Sequence, residues 1–198
     1  MEEITRSVVP IDTVYPHVEN YKKHPETQLN SLKASLLRFG QVKSVVVQRT
    51  AGSDNAYILL AGHGLTQAAQ ELLADPRYAT NARVQSWRDS WAVVVVPSSW
   101  TSLEAKAYMV ADNEIAAKAL TDETALAALL EEQRNDANLE SVGYTEQELD
   151  DMLARLSDAL LEENADAEQP EDFASFDETL ETEFRCPKCS YTWSGKAK

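Results

Sequence analysis

Cysteine is scarce in this sequence. Its 198 residues include only Cys186 and Cys189, so the disulfide framework on which many small secreted domains depend is excluded. The Cys-x-x-Cys spacing of the pair suits a metal site or a redox pair instead. No run of 18 apolar residues occurs, and this excludes a membrane-spanning helix. The acidic start Met1-Glu2-Glu3-Ile4 lacks the features of a signal peptide, so we expect a cytoplasmic protein.

An excess of basic residues is also missing. The formal charge is −15, but residues 1–120 are neutral, with 12 Lys+Arg and 12 Asp+Glu. Residues 121–198 hold 6 basic and 21 acidic residues, which accounts for the whole charge. An acidic chain binds nucleic acid poorly in general, because neutralisation of phosphates supplies most non-specific affinity. The neutral N-terminal part leaves local contact with DNA open without arguing for it.

Apolar patterns predict an α+β fold. A hydrophobic content of 43% is enough for a real core. Short β-branched or apolar runs predict strands at residues 7–10, 42–48, 56–61 and 92–96. Helical spacing of apolar residues, with Pro25 at one helix start and Gly40 at its end, predicts helices at residues 25–39 and 65–74. From Thr101 the chain is predicted to be helical, with capping-box spacing at Thr101 and again at Thr145.

Composition also predicts the order of domains. We expect a first domain at residues 1–120 and a helical extension at residues 121–161. Residues 162–183 are acidic and hold almost no aliphatic residues, so they are predicted to form a solvated linker. Residues 184–198 form a short tail that carries both cysteines.

The most informative motif is Gly62-His63-Gly64, which we call the glycine turn. It follows the apolar strand Ile58-Leu59-Leu60-Ala61 and leads directly into a predicted helix. The first turn of a helix has backbone N–H groups without intrahelical partners and the positive end of the helix dipole. Glycines allow positive φ and a close approach of the backbone to a ligand. Such a junction can bind a phosphate, although the same motif is often only a tight turn.

The order of several segments carries a resemblance to a known family. Asn20-Tyr21-Lys22-Lys23-His24 precedes a leucine-rich helix, the strand Val45-Val46-Val47 and the glycine turn, and Ala107-Tyr108-Met109-Val110-Ala111-Asp112-Asn113 comes later. In this order the chain resembles the N-terminal domains of ParB-like proteins, which share a fold with sulfiredoxin. It looks closest to the phage-type branch with a Gly-His-Gly-Arg box. The resemblance covers roughly residues 4–120 and implies a small mixed sheet with flanking helices.

The resemblance also implies a nucleotide site, with CTP or ATP and Mg²⁺ as the suspected ligands. The residues carried over to nucleotide binding are Asn20, Lys22, His24, Gly62, His63, Gly64, Thr66, Gln67, Asp112 and Asn113. His63 is the candidate for acid–base chemistry or phosphate contact. Glu19 is a candidate general base if a phosphoryl group is transferred. Each of these residues also has a purely structural interpretation, as a turn former, a cap or a solvated side chain.

Two departures from the family pattern bear on function. Leu65 stands where the box arginine is expected, so the strongest bidentate phosphate contact is missing, and Lys22 or Lys23 would have to supply the charge. No cysteine lies in the box, which excludes sulfiredoxin chemistry. We expect a phage-borne nucleotide-binding protein of DNA maintenance or modification in a bacterial or phage-infected cell, with phosphohydrolase or phosphotransferase activity left open. A DNA nuclease and a non-catalytic adaptor with a degenerate pocket are the alternatives.

The tail resembles one knuckle of a zinc ribbon. Its sequence is Phe184-Arg185-Cys186-Pro187-Lys188-Cys189-Ser190-Tyr191-Thr192-Trp193. Structural Zn²⁺ requires four ligands, and the chain has no second cysteine pair. Two copies in a homodimer could share a metal, another partner could complete the site, or the cysteines could be vestigial or redox-sensitive. Cys186 and Cys189 are the predicted metal ligands in the first two cases.

Overall fold

The structure, a computed structural model, describes residues 3–53, 55–135, 139–166 and 184–193. The chain divides into two compact units, Met1–Ser157 and Asp158–Lys198. The parts of the predicted linker and tail at residues 167–183 and 194–198 lie outside the described residues.

The first unit alternates strands and helices. Its strands are β1 Thr5–Val9, β2 Val14–Pro16, β3 Val45–Arg49, β4 Tyr57–Ala61 and β5 Trp91–Val96. Its helices are α1 Glu26–Phe39, α2 His63–Ala74, α3 Ala82–Ser86, α4 Ser102–Ala116, α5 Glu123–Asn135 and α6 Glu146–Asp166, the last of which begins in this unit. All four predicted strands and both predicted N-terminal helices are present, with boundaries that differ by a few residues.

The five strands form one mixed sheet in the order β1-β5-β3-β4-β2. The pairs β1–β5 and β3–β4 are antiparallel, whereas β3–β5 and β2–β4 are parallel. This confirms the predicted α+β class with a small mixed sheet. Sequence patterns missed β2 because it spans only three residues and ends in Pro16, and they missed the short helix α3 for a similar reason.

Helices cover both faces of the sheet. Val45 and Val47 of β3 are buried in a cluster with Leu36 of α1 and Ala69 of α2. The intervening Val46 packs instead against a second cluster that contains Met109 of α4. This alternation follows from the two-residue repeat of a strand. The glycine turn directly follows β4 and leads into α2.

Helices α5 and α6 share a separate apolar cluster. Ala127 and Leu130 of α5 pack with Leu139, Leu149 and Met152. The predicted capping box of α6 is present: the Thr145 backbone N–H donates to Glu148 Oε2 at 2.8 Å and the Glu148 N–H donates to Thr145 Oγ1 at 3.2 Å. Because no glycine or proline interrupts the sequence there, α6 continues to Asp166, so the first residues of the predicted linker are helical.

No helix within the described ranges is long and apolar enough to span a membrane. In the second unit, residues 184–193 form a two-stranded antiparallel hairpin of β6 Phe184–Arg185 and β7 Thr192–Trp193. We call these ten residues the tail hairpin.

Candidate functional site

The glycine turn has a backbone that requires glycine at its first position. Gly62 is the N-cap residue of α2, with φ +94° and ψ 27°, in the left-handed region. A Cβ at this position would lie 2.5 Å from Cγ1 of the buried Val45. Any other residue would therefore suffer both backbone strain and a steric clash. The sequence thus places the start of α2 directly against the sheet.

The N-terminus of α2 has backbone amides outside the helical hydrogen-bond pattern, which we call the open amides. No side chain caps it, and the first helical hydrogen bond runs from the Thr66 N–H to the Gly62 carbonyl at 3.0 Å. The amides of His63, Gly64 and Leu65 precede that bond, and amides in this position have no intrahelical partner. Together with the positive end of the helix dipole they favour a bound phosphate.

All three histidines of the chain meet at this helix end, and we call them the histidine cluster. The backbone N–H of His17 donates to His63 Nε2 at 3.3 Å. A Cβ on Gly64 would lie 2.8 Å from His24 Nδ1, so the imidazole of His24 rests directly on this glycine. The second glycine of the turn is therefore needed for close packing of the His24 ring. His17 and His24 come from the loop at residues 17–24, which we call the polar loop.

Two polar atoms in this region are buried without a protein partner, namely Nε2 of His24 and Oγ1 of Thr66. His24 Nδ1 is 3.0 Å from Gln28 Oε1, so it is Nε2 that is left for another ligand. Buried polar atoms in native proteins are nearly always hydrogen-bonded to protein, water or a ligand. Their presence beside the open amides indicates a place for a polar group.

His63 is neutral at physiological pH. Burial, followed by the positive charges of His24 and His17, lowers its pKa from 6.5 to about 4. The positive end of a helix dipole also lowers the pKa of a histidine, but burial is the largest cause at His63. Because Nε2 of the neutral ring accepts the His17 N–H, Nδ1 carries the proton.

The lowered pKa of His63 predicts how stability depends on pH. Between about pH 6.5 and pH 4 the unfolded chain binds a proton at this residue that the native state does not bind, so acidification destabilises the fold. The ring is only half-buried, so solvent screening reduces the effect. Between pH 7 and pH 5 we expect the free energy of unfolding to fall by about 1 kcal/mol more in wild type than in His63→Gln. Urea unfolding of both proteins at the two pH values measures this difference. Equal losses would mean that His63 titrates normally.

The polar loop is bound to α4 by ionic contacts. Glu19 forms an ion pair with Lys106, and that hydrogen bond is the largest cause of the lowered pKa of Glu19. Lys22 Nζ lies 3.3 Å from Glu114 Oε1, and the hydroxyl of Tyr21 donates to the same oxygen at 3.2 Å. Both predicted residues, Glu19 and Lys22, therefore have partners on α4.

Asn20, in contrast, has the structural role that its position also suggested. Its Oδ1 accepts the Lys22 N–H at 3.2 Å, and its Nδ2 donates to the Lys22 carbonyl at 3.2 Å. These bonds fix the conformation of the polar loop, which in turn places Lys22 and His24.

Other predicted residues bond within their own helices. Gln67 donates to Glu71 at 3.0 Å, Asp112 accepts from Tyr108 at 3.3 Å, and Asn113 donates to the Met109 carbonyl at 2.8 Å. None of these bonds joins them to the histidine cluster. Leu65, which stands in place of the box arginine, packs against the main core.

Sequence reasoning missed His17, Lys106 and Glu114. For His17 the sequence offered only a weak signal, namely that it is one of just three histidines in the chain. That all three lie at one place is visible only in the structure. The roles of Lys106 and Glu114 depend on contacts with a loop about 90 residues earlier in the chain, which no local pattern encodes.

A separate cavity of about 1030 Å³ lies between α1 and residues 139–148. Thr27, Gln28 and Ser31 are among the α1 residues that line it. Gln28 thus borders this cavity and also contacts His24. We assign the candidate site to the helix end, because the open amides and the unpartnered His24 nitrogen are there.

The two predicted metal ligands lie at the turn of the tail hairpin. The Cys186 N–H donates to the Tyr191 carbonyl at 2.7 Å, and the Ser190 N–H donates to the Cys186 carbonyl at 2.9 Å. The backbone N–H groups of Cys189 and Lys188 donate to the thiol of Cys186 and lower its pKa. Among the residues that the structure describes, no group of three or more His, Cys, Asp or Glu side chains could hold a metal ion.

Comparison with protein families and with curated proteins gives no match. Among solved structures, the chain is similar to the C-terminally truncated chromosome-partitioning protein ParB from Caulobacter crescentus complexed with CTP-γ-S, at 15% identity and a TM-score of 0.58, over 82% of this chain and 88% of that chain. A second match is the same truncated protein complexed to the centromeric parS site. It has 13% identity and a TM-score of 0.39, over 80% of this chain and 78% of that chain. The first likeness, together with the mixed five-stranded sheet, shows that this chain has a ParB-like α+β fold.

Proposed function

We propose that this chain binds a nucleoside triphosphate, CTP or ATP with Mg²⁺, and holds its phosphates at the N-terminus of α2. The observation that carries the proposal is an uncapped helix end next to the buried, unpartnered His24 Nε2. Three early amides, the helix dipole and this ring nitrogen suit an anion with several oxygens. The fold supports the choice of ligand, since the similar ParB structure holds CTP-γ-S.

The positive charge at this site comes from the polar loop. Lys22 is half-exposed and paired with Glu114, and such exposed pairs contribute little to stability. We propose that Lys22 exchanges this carboxylate for a phosphate of the nucleotide, with Lys23 beside it. Bound phosphates would also favour protonation of His63.

Mg²⁺ suits this arrangement because it usually keeps several waters and takes its other ligands from phosphates. It would neutralise part of the phosphate charge. Among the protein groups, Glu19 is held ionised by Lys106, whereas neutral His63 lies at the helix end. Of the two predicted catalytic residues, we propose His63 for contact with the phosphates, because the Nδ1–H of its neutral ring can donate a hydrogen bond, whereas its Nε2 already accepts the His17 N–H.

We further propose that the protein acts in DNA maintenance or modification and is phage-borne. The likeness to a chromosome-partitioning protein supports the first part, and the glycine turn of the phage-type box supports the second. With a formal charge of −15, contact with DNA would be confined to local basic surface.

A thermal-shift panel tests nucleotide binding. With Mg²⁺ and a nucleotide at about 100 times its Kd, stability should rise by about 2.7 kcal/mol, which raises Tm by roughly 5–10 °C in a domain of this size. The matching nucleoside, which lacks phosphates, should give no shift and serves as the control. No shift with any triphosphate at millimolar concentration would contradict the proposal.

The second candidate function is a non-catalytic adaptor, and the observation that favours it is the leucine in the box. Leu65 packs against the core instead of offering a cation. If wild type shows no nucleotide stabilisation but Leu65→Arg does, the pocket has lost its ligand and the adaptor function is supported. Stabilisation of wild type excludes a degenerate pocket.

A further inference from the structure

The tail hairpin holds its two cysteines at one tight turn. Cys186 directly precedes the turn at residues 187–189 and Cys189 ends it. Two backbone bonds close the turn, one on each side of Cys186, and Ser190 takes a positive φ of 61°. The hairpin therefore presents both cysteines from the same end, as one half of a four-ligand zinc site does.

The two sulfurs are accessible and reduced. Neither cysteine forms a disulfide, Cys189 is exposed and Cys186 is half-buried. The two cysteines are three residues apart at one turn, so they can reach one ion together. A pair of soft thiolates selects Zn²⁺ over hard ions such as Mg²⁺.

The pair needs ligands from outside its own hairpin. A structural Zn²⁺ site takes four protein ligands, and these are the only two cysteines of the chain. No histidine or acidic residue occurs anywhere in residues 184–198. A second copy of the chain offers an identical pair, and a two-fold axis would bring the two pairs to the same ion.

The surface of the hairpin supports a second copy as the partner. Phe184 and Trp193 stack with ring centroids 5.8 Å apart, and Tyr191 stacks on Trp193 at 6.4 Å. Tyr191 is nevertheless 69% exposed and Phe184 is 41% exposed. Exposed aromatic rings are enriched at the centres of protein interfaces. Arg185 and Lys188 would offset the negative charge of four thiolates around one Zn²⁺.

We propose that Cys186 and Cys189 supply two of the four thiolates of a Zn²⁺ site shared between two copies of this chain, which makes the tail hairpin a metal-dependent dimerisation element. This proposal does not depend on nucleotide binding. It predicts about one Zn²⁺ for every two chains, from the ligand number alone.

The test uses the full chain, purified under reducing conditions with Zn²⁺. Metal analysis should give about half a Zn²⁺ per chain, and light scattering should give a dimer that becomes a monomer when a chelator is added. Cys189→Ser should lose both the zinc and the dimer. Ser190→Gly is the matched control, because it preserves the positive φ of the turn, and it should retain both.

Three results would overturn the proposal. The first is zinc at one ion per monomeric chain, which would place the remaining ligands within the chain. The second is a chain that binds no zinc while both thiols react with an alkylating agent. The third is a dimer that persists both with the chelator and in Cys189→Ser.

Discussion

Replacing Gly62 with alanine should lower the free energy of unfolding by roughly 2–4 kcal/mol, the largest effect that we expect from one added methyl group. Two costs add at this position. An alanine at φ +94° is strained, and its Cβ would lie 2.5 Å from Cγ1 of Val45. Val45 is buried at the centre of the sheet and cannot move away cheaply.

Gly143→Ala separates these two costs. Gly143 has nearly the same φ, +90°, but a Cβ there would meet nothing within 4 Å. The Gly143→Ala variant should therefore lose only about 1 kcal/mol of unfolding free energy, from backbone strain. Urea unfolding of the two variants and wild type gives both numbers. Equal losses would show that the glycine turn does not pack against β3 as described.

Changing the Lys22–Glu114 pair should shift nucleotide affinity in opposite directions. Lys22→Met should weaken binding about tenfold, because a charge-assisted hydrogen bond to phosphate is lost. Glu114→Gln should strengthen it about threefold, since Lys22 no longer has to leave a carboxylate and a nearby negative charge is removed. In the Lys22→Met background the gain from Glu114→Gln should shrink.

Isothermal titration of wild type, the two single variants and the double variant with CTP and ATP measures these changes. Glu123→Gln is the matched control, because Glu123 is likewise exposed and lies 3.5 Å from Arg155, yet it belongs to α5. The control should leave the affinity unchanged. If Glu114→Gln and Glu123→Gln change the nucleotide affinity equally, Lys22 does not exchange Glu114 for a phosphate. That result would leave open a nucleotide site that does not involve Lys22.

Much of the sheet could be predicted because its strands are short apolar runs. The run Trp91–Val96 pairs with strands on both sides and is buried at Trp91, Val93 and Val96, so its composition follows directly from its central position. The glycine turn could be predicted because local structure requires its residue type. Only glycine accepts both the positive φ at position 62 and the close approach to Val45.

The arrangement of the site could be predicted only in part. His63 and Gly64 follow from the turn itself, but the contact of His24 with Gly64 joins segments that lie far apart in the sequence. For Asp112 and Asn113, position in the family pattern was the only guide, and in the structure their side chains satisfy partners on α4. Short polar side chains on a helix commonly bond to nearby groups of the same helix, and sequence order does not reveal that choice.

Nuclear magnetic resonance of the isotope-labelled chain, titrated with CTP or ATP and Mg²⁺, tests the central claim most directly. If phosphates bind at the start of α2, the amide signals of His63, Gly64 and Leu65 should move most, together with those of His24 and Lys22. The matching nucleoside should leave these five signals in place. Unchanged signals at the start of α2, or shifts confined to the cavity between α1 and residues 139–148, would contradict the account.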